Sequence, residues 1–119
     1  MKEPLDVSIV VLNWNTSELL EGALESIVST VGELRVEVVG IYNASTDGGF
    51  EKVPLKFKND LRFDFIQRET NIGWAAINIM LERARGKYIV TVDPDAIVHT
   101  GALQALYEFM EETPNAGAA

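Results

Sequence analysis

The segment NIGWAAINIMLERARGKYIVTVDPDAIV, residues 71–98, passes from helical to strand patterning across a single glycine. Ile77, Leu81 and Ala84 recur at helical spacing, which predicts a helix over residues 74–85 with Gly86 as its C-terminal cap. Residues 88–92, Tyr-Ile-Val-Thr-Val, read as a strand, and Asp93-Pro94-Asp95 comes directly after it. A helix that hands over to a buried strand is half of a strand–helix–strand crossover. Repeated along a chain, that unit gives a parallel sheet with right-handed connections.

The pattern repeats upstream. Residues 7–12 form a near-continuous apolar run, as expected of a parallel strand covered on both faces. The next helix has Leu20, Leu24, Ile27, Val28 and Val31 on one face, with Asn15 or Thr16 able to cap it and Gly32 ending it. Residues 36–41 read as a second strand and residues 43–49 as a loop. Pro54 is expected to interrupt any helix in residues 50–59, which stay ambiguous. Residues 61–66 predict a weaker third strand. A last helix over residues 101–112 carries Leu103, Leu106, Tyr107 and Met110 on one stripe and stops before Pro114. The expected fold is an α/β sandwich of three layers around a mostly parallel sheet. Its 119 residues suit one domain, residues 1–119, and are too few for two.

Composition narrows the function. Net charge is −8 and no Lys/Arg cluster offsets it, which excludes a phosphate backbone and hence nucleic acid as a partner. There is no cysteine, so disulfides and thiolate metal sites are excluded. The charged opening Met1-Lys2-Glu3-Pro4 is not a signal peptide, and no apolar run approaches the ~20 residues of a membrane span; a cytoplasmic setting is expected. The sequon Asn43-Ala44-Ser45 is therefore not expected to carry glycan. The single His99 is not read as catalytic, and Lys52, Lys56 and Lys58 read as a solvated face.

In an open parallel sheet, ligands bind beyond the carboxyl ends of the strands. The residues expected there are Asn13-Trp14-Asn15, Tyr42-Asn43 and Asp93-Pro94-Asp95. Pro94 fixes its own φ and restricts Asp93, so the two carboxylates form either a rigid pair for a cation or ligand, or an acidic turn in which Asp95 caps the next segment. Trp14 either stacks on a base or packs in the core; Trp74 is read as core or loop packing. A receiver domain would need acidic residues after the first strand, a dinucleotide fold a glycine-rich turn there, and a P-loop protein a Gly-Lys-Ser or Gly-Lys-Thr. None is present.

Three segments, in order, resemble the amino-terminal half of family 2 glycosyltransferases of the GT-A fold, in their rhamnosyltransferase-like branch. They are VSIVVLNWNTSELLEGALESI, YNASTDGG and NIGWAAINIMLERARGKYIVTVDPDAIV. The resemblance runs from about Val7 to the last residue and implies strand order 3-2-1-4. It implies that Asp95 ligates Mg²⁺ or Mn²⁺ on the diphosphate of a nucleotide sugar, UDP- or dTDP-linked. Asp93 would contact the ribose or support the metal. Asn13, Trp14 and Asn15 would line the nucleotide pocket, Asn43, Ser45 and Asp47 would lie beside the base, and Asn71 and Gly73 near the diphosphate, with Asn78 orienting that loop. A metal ion between carboxylate and diphosphate also answers the difficulty of an acidic chain binding an anion.

Tyr42 departs from the family, which usually has there an aspartate that accepts a hydrogen bond from the uracil or thymine imide. Base discrimination is then expected to be poor, and Tyr42→Asp to restore a preference for those bases. The resemblance implies inverting transfer to an acceptor such as a saccharide or lipid-linked glycan; the family's acceptor site and catalytic carboxylate lie in a second half, which puts the base outside these residues. The alternative is a non-catalytic nucleotide-sugar-binding module or a truncated remnant. Residues 88–92 would form an apolar sheet edge, which predicts a homo-oligomer.

Overall fold

The computed structural model describes residues 4–119; Met1 to Glu3, part of the opening judged not to be a signal peptide, lie outside them. Strands β1 (Leu5–Asn13), β2 (Val36–Asn43), β3 (Phe63–Arg68) and β4 (Gly86–Val92) form one sheet in the order β3-β2-β1-β4, with every neighbouring pair parallel. The helices are α1 (Ser17–Thr30), α2 (Gly49–Lys56), α3 (Ile77–Arg83) and α4 (Ala102–Glu112).

Strand alternation assigns the layers. Val7, Ile9 and Val11 of β1, with Val38 and Tyr42 of β2, share a core with Leu20, Leu24 and Ile27 of α1, Val53 of α2 and Leu103 of α4. On the opposite face Val10, Val39 and Ile41 pack against Ala76 and Met80. This is the expected three-layer sandwich, and β2 is buried at every position because both faces are covered. Gly32 follows α1 at φ +58°, the left-handed conformation in which its lack of a Cβ is useful.

Three local expectations are corrected. Pro54 lies inside α2 instead of breaking it. Its missing N–H removes one bond from a helix of 8 residues, near its end, while Phe50 and Val53 hold that helix to the core. β3 starts two residues later than expected, because Asp60 accepts from the Arg62 N–H at 3.0 Å in a turn that leaves Leu61 outside, and pairing begins at Val38 opposite Phe63. The helix expected over residues 74–85 begins as a 3-10 turn, Gly73–Ala76, and α3 ends at Arg83. Gly86 is therefore not a helix cap. It is the first residue of β4, and a Cβ there would lie 2.3 Å from the Ser8 backbone nitrogen.

β4 pairs with β1 on one side. Its open side, with half-exposed Ile89, borders a groove of about 560 Å³ shared with Leu106 and Met110 of α4.

Candidate functional site

The carboxyl ends of β1, β2 and β4 converge, and polar side chains follow each of them. Asn13, the last residue of β1, is fully buried. Its amide nitrogen donates to the Ser17 and Ser45 hydroxyls at 3.3 and 3.4 Å, and its oxygen accepts from Thr16 Oγ1. Asn15 turns the chain at φ +50°, and its side-chain oxygen accepts from the Thr46 N–H at 2.7 Å. Ser45 Oγ accepts from the Asn15 N–H at 3.1 Å.

The cap of α1 comes from far away in the sequence. Thr16 occupies the cap position without a capping side-chain bond. Asp47 supplies it, with one oxygen accepting from the Ser17 N–H at 3.1 Å and the other from Ser17 Oγ at 2.9 Å and the Gly49 N–H at 3.1 Å. A carboxylate suits the positive end of a helix. Partial burial raises the Asp47 pKa, but the donors of Ser17 and Gly49 outweigh it and hold the carboxyl below its ordinary value of 3.8. A depressed pKa contributes stability that is present above the unfolded-state value and lost as pH falls through the folded one. Asp47→Ala is therefore expected to be less stable by ~1 kcal/mol at neutral pH. In urea melts taken from pH 7 downward, that gap should close below about pH 4.

Asn43 ends β2 on the other face. Its amide nitrogen donates to Asn71 Oδ1 at 2.9 Å and to the Gly73 carbonyl at 3.2 Å, while its oxygen accepts from the Ile72 N–H at 3.1 Å. Asn71 Oδ1 also accepts from the Gly73 N–H at 2.8 Å, and Gly73 sits at φ +60°. One asparagine thus fixes the loop before α3 against the sheet. Ala44, at φ +64°, turns the chain between the two networks; a left-handed alanine costs roughly 1 kcal/mol, held by the bonds on either side. Asn78 is exposed on α3 and makes no hydrogen bond to that loop among the described residues.

A cleft of about 290 Å³ opens above this loop. Asn43, Asn71, Thr16 and Asp93 supply its polar wall, and Leu12, Trp14, Trp74 and Pro94 its apolar one. Asp93 is the only ionisable side chain in the wall among the described residues. Asp95 stands just beyond it on the same turn, exposed, and that turn is closed by the Ala96 N–H donating to the Asp93 carbonyl at 3.0 Å. Neither carboxylate has a protein partner among the described residues, and no group of three or more acidic, His or Cys side chains forms there. Two free oxygen donors suit a small hard cation whose remaining positions are filled by water and phosphate oxygens.

The structure divides the residues singled out from the sequence. Trp14, Asn43, Asn71, Gly73 and Asp93 meet at the cleft. Asn13 and Ser45 brace the β1–α1 connection, while Asn15 and Asp47 line a separate hollow of about 450 Å³ between α1 and α2. The hydrogen bonds of these four run to the chain itself. Tyr42 lies away from the cleft. It is 0% exposed on the α2 face, where its hydroxyl donates to the Gly49 carbonyl at 3.4 Å. Trp74, expected to pack in the core or loop, is 66% exposed and faces the cleft. Its place at the first turn after Asn71-Ile72-Gly73 was the available signal.

The family described as glycosyl transferase family 2 matches residues 8–119. The glycosyltransferase GlyG of Streptococcus pneumoniae is 30% identical over 107 residues, covering 89% of this chain and 35% of that protein. The structure of S. aureus TarS 1–349 in complex with UDP-GlcNAc superposes with a TM-score of 0.79 at 25% identity, over 92% of this chain and 32% of that one. The mannosyltransferase PcManGT from Pyrobaculum calidifontis, solved with GDP-Man and Mn2+, gives a TM-score of 0.81 at 23% identity, over 92% and 33%, a likeness of fold. The chain spans about a third of the length of these relatives.

Proposed function

This chain belongs to glycosyl transferase family 2, and from that membership we propose that residues 1–119 form one domain holding the donor side of a sugar transfer. The ligand of the cleft is a nucleotide-diphosphate sugar, and the reaction is an inverting transfer to a saccharide or lipid-linked acceptor. The observation that carries this reading is the meeting of Trp14, Asn43, Asn71, Gly73, Trp74 and Asp93 at the carboxyl ends of parallel strands, where the topology reserves room for a ligand. The UDP-GlcNAc held by the structure of TarS 1–349 supports the donor class.

Each group has a distinct task in this reading. Asn43 holds the Asn71–Gly73 loop rigid, and Gly73 lets the diphosphate approach the backbone. Asp95, with Asp93, would hold Mg²⁺ or Mn²⁺, whose chemistry is to neutralise the diphosphate as it leaves. Among the described residues Asp93 is the one ionisable group in the cleft wall, so no second carboxylate of that wall is left to deprotonate an acceptor. That favours, as a second reading for the chain by itself, a module that binds donor without turnover.

Calorimetry with UDP, with and without Mn²⁺, tests the site. Metal-dependent binding is expected, and its absence removes the donor reading. Asp95→Ala should abolish the Mn²⁺-dependent gain with an unchanged circular dichroism spectrum. Undiminished metal dependence would remove Asp95 from the metal site.

Among the described residues β4 pairs with β1 alone, and its other side, beside the apolar residues of α4, is a template for a second copy of the chain. Untagged protein is expected to scatter light as a dimer or larger. A monomer at high concentration would refute self-association.

A further inference from the structure

Arg68 is the arginine that the fold leaves without a partner. Arg35 pairs with Asp6, Arg62 with Asp60, Arg83 with Asp64 and Arg85 with Glu37, at 3.9, 2.6, 3.2 and 2.9 Å. The side chain of Arg68 has neither ion pair nor hydrogen bond among the described residues, although its Nε is buried. A buried N–H of a charged group costs free energy when it has no acceptor, and native chains rarely leave one so. Its place in the sheet is equally distinct. Arg35, Arg62 and Arg85 each precede a strand, at the amino edge of the sheet, whereas Arg68 ends β3 at the carboxyl edge. That is the edge at which open parallel sheets bind their ligands. Arg68 is the register partner of Asn43, about 4.8 Å away across one strand spacing and on the same face. Asn43 in turn holds the Asn71–Gly73 loop. The guanidinium therefore stands one strand beyond the cleft wall, beside the loop where the diphosphate is placed above.

We propose that Arg68 is a phosphate-binding residue, and that the acceptor its guanidinium lacks within the chain is a phosphate oxygen of the ligand. The inference rests on the donor-binding reading above and adds to it a cation carried by the protein itself. A planar guanidinium matches the geometry of phosphate oxygens and sheds water more readily than an ammonium group, which suits a half-buried position. It also meets a need of this chain. Net charge is −8, and the cleft wall offers a diphosphate no Lys or Arg among the described residues.

The test is calorimetry on the full chain and on its R68M and R68K variants, with UDP, pyrophosphate and uridine as titrants in the presence of Mn²⁺. Uridine carries base and ribose but no phosphate, and pyrophosphate carries only phosphate. R68M keeps the apolar stem and removes the donors. It should weaken UDP and pyrophosphate by about tenfold each and leave uridine unchanged. R68K, a point charge without the planar fork, should recover part of the loss. The Tm of R68M should be no lower than that of the unaltered chain, since the arginine makes no bond within it; a lower Tm would mark Arg68 as a structural member of β3 and overturn the proposal. If UDP binds but R68M leaves UDP and pyrophosphate unchanged, or weakens uridine as much as UDP, the phosphate assignment is overturned and the donor site stands. Pyrophosphate held through Arg68 by a chain that does not bind UDP would keep the phosphate site, with free phosphate as its ligand, and remove the donor reading. If neither binds, both fall.

Discussion

Tyr42→Asp is expected to unfold most of the chain instead of conferring a preference for uracil. The ring of Tyr42 lies edge-on to Phe50 at 5.2 Å and tilted against Phe65 at 6.4 Å, with no exposed surface. Burial, followed by the negative charges of Asp47 and Glu51, pushes the phenol pKa far above its ordinary value of 10.0. The same surroundings oppose an aspartate, which must either ionise in the core or take up a proton. Losing a buried aromatic ring costs ~3–5 kcal/mol, and an unsatisfied carboxyl adds to it. A domain of this kind has roughly 5–15 kcal/mol in total, so little cooperative transition should survive. Tyr42→Phe removes one long hydrogen bond and should cost about 1 kcal/mol or less. Urea melts and near-ultraviolet circular dichroism separate the two variants. A cooperatively folded Tyr42→Asp chain that binds UDP in preference to GDP would return Tyr42 to the binding site.

Gly86→Ala is expected to be the next most damaging change, although it adds one methyl group. Its Cβ would fall 2.3 Å from Ser8 N, 2.6 Å from Val7 C and 2.8 Å from Ser8 Oγ. β1 lies between β2 and β4, so its backbone has no direction in which to yield. A buried network starts at the same point. Ser8 Oγ accepts from the Gly86 N–H and donates to Glu37, both at 2.8 Å, and Glu37 accepts from Arg85 N and Nε, both at 2.9 Å. Displacing β4 strains the packing and strands the nearly buried Glu37 carboxylate. Together these cost about 3 kcal/mol, a fall of roughly 15 °C in Tm for a domain of this size. Gly117→Ala, whose Cβ would meet nothing within 4 Å, is the control and should leave Tm unchanged. An equal Tm for Gly86→Ala would mean that β4 can move off β1 freely.

The glycine at 86 shows how far local patterning reaches. From the sequence it read as a helix terminator, since a glycine between helical and strand periodicity usually is one. Its actual constraint is a close approach to a strand 78 residues earlier, as the Gly86–Ser8 bond spans, and no local window contains that partner. The cap of α1 is similar, because Asp47 reaches Ser17 across 30 residues where Asn15 and Thr16 were the local candidates.

By itself the sequence determined the alternation of strands and helices, the parallel sheet, the acidic turn after β4 and which segments end at the carboxyl edge of the sheet. These come from periodicity, turn chemistry and the handedness of crossovers, all of them local or topological. The three ordered motifs added the family and, with it, the strand order. Only the tertiary structure decided which neighbour faces the cleft. Strand alternation sends Tyr42 and Asn43 to opposite sides of the sheet, and which side holds α2 and which the open cleft depends on where the helices pack. So Tyr42 went to the core and Asn43 to the cleft, the loop residues Ser45 and Asp47 bond to the β1–α1 connection, and Trp74 was left facing the cleft, because its 3-10 turn is hung from β2 by the side chain of Asn43.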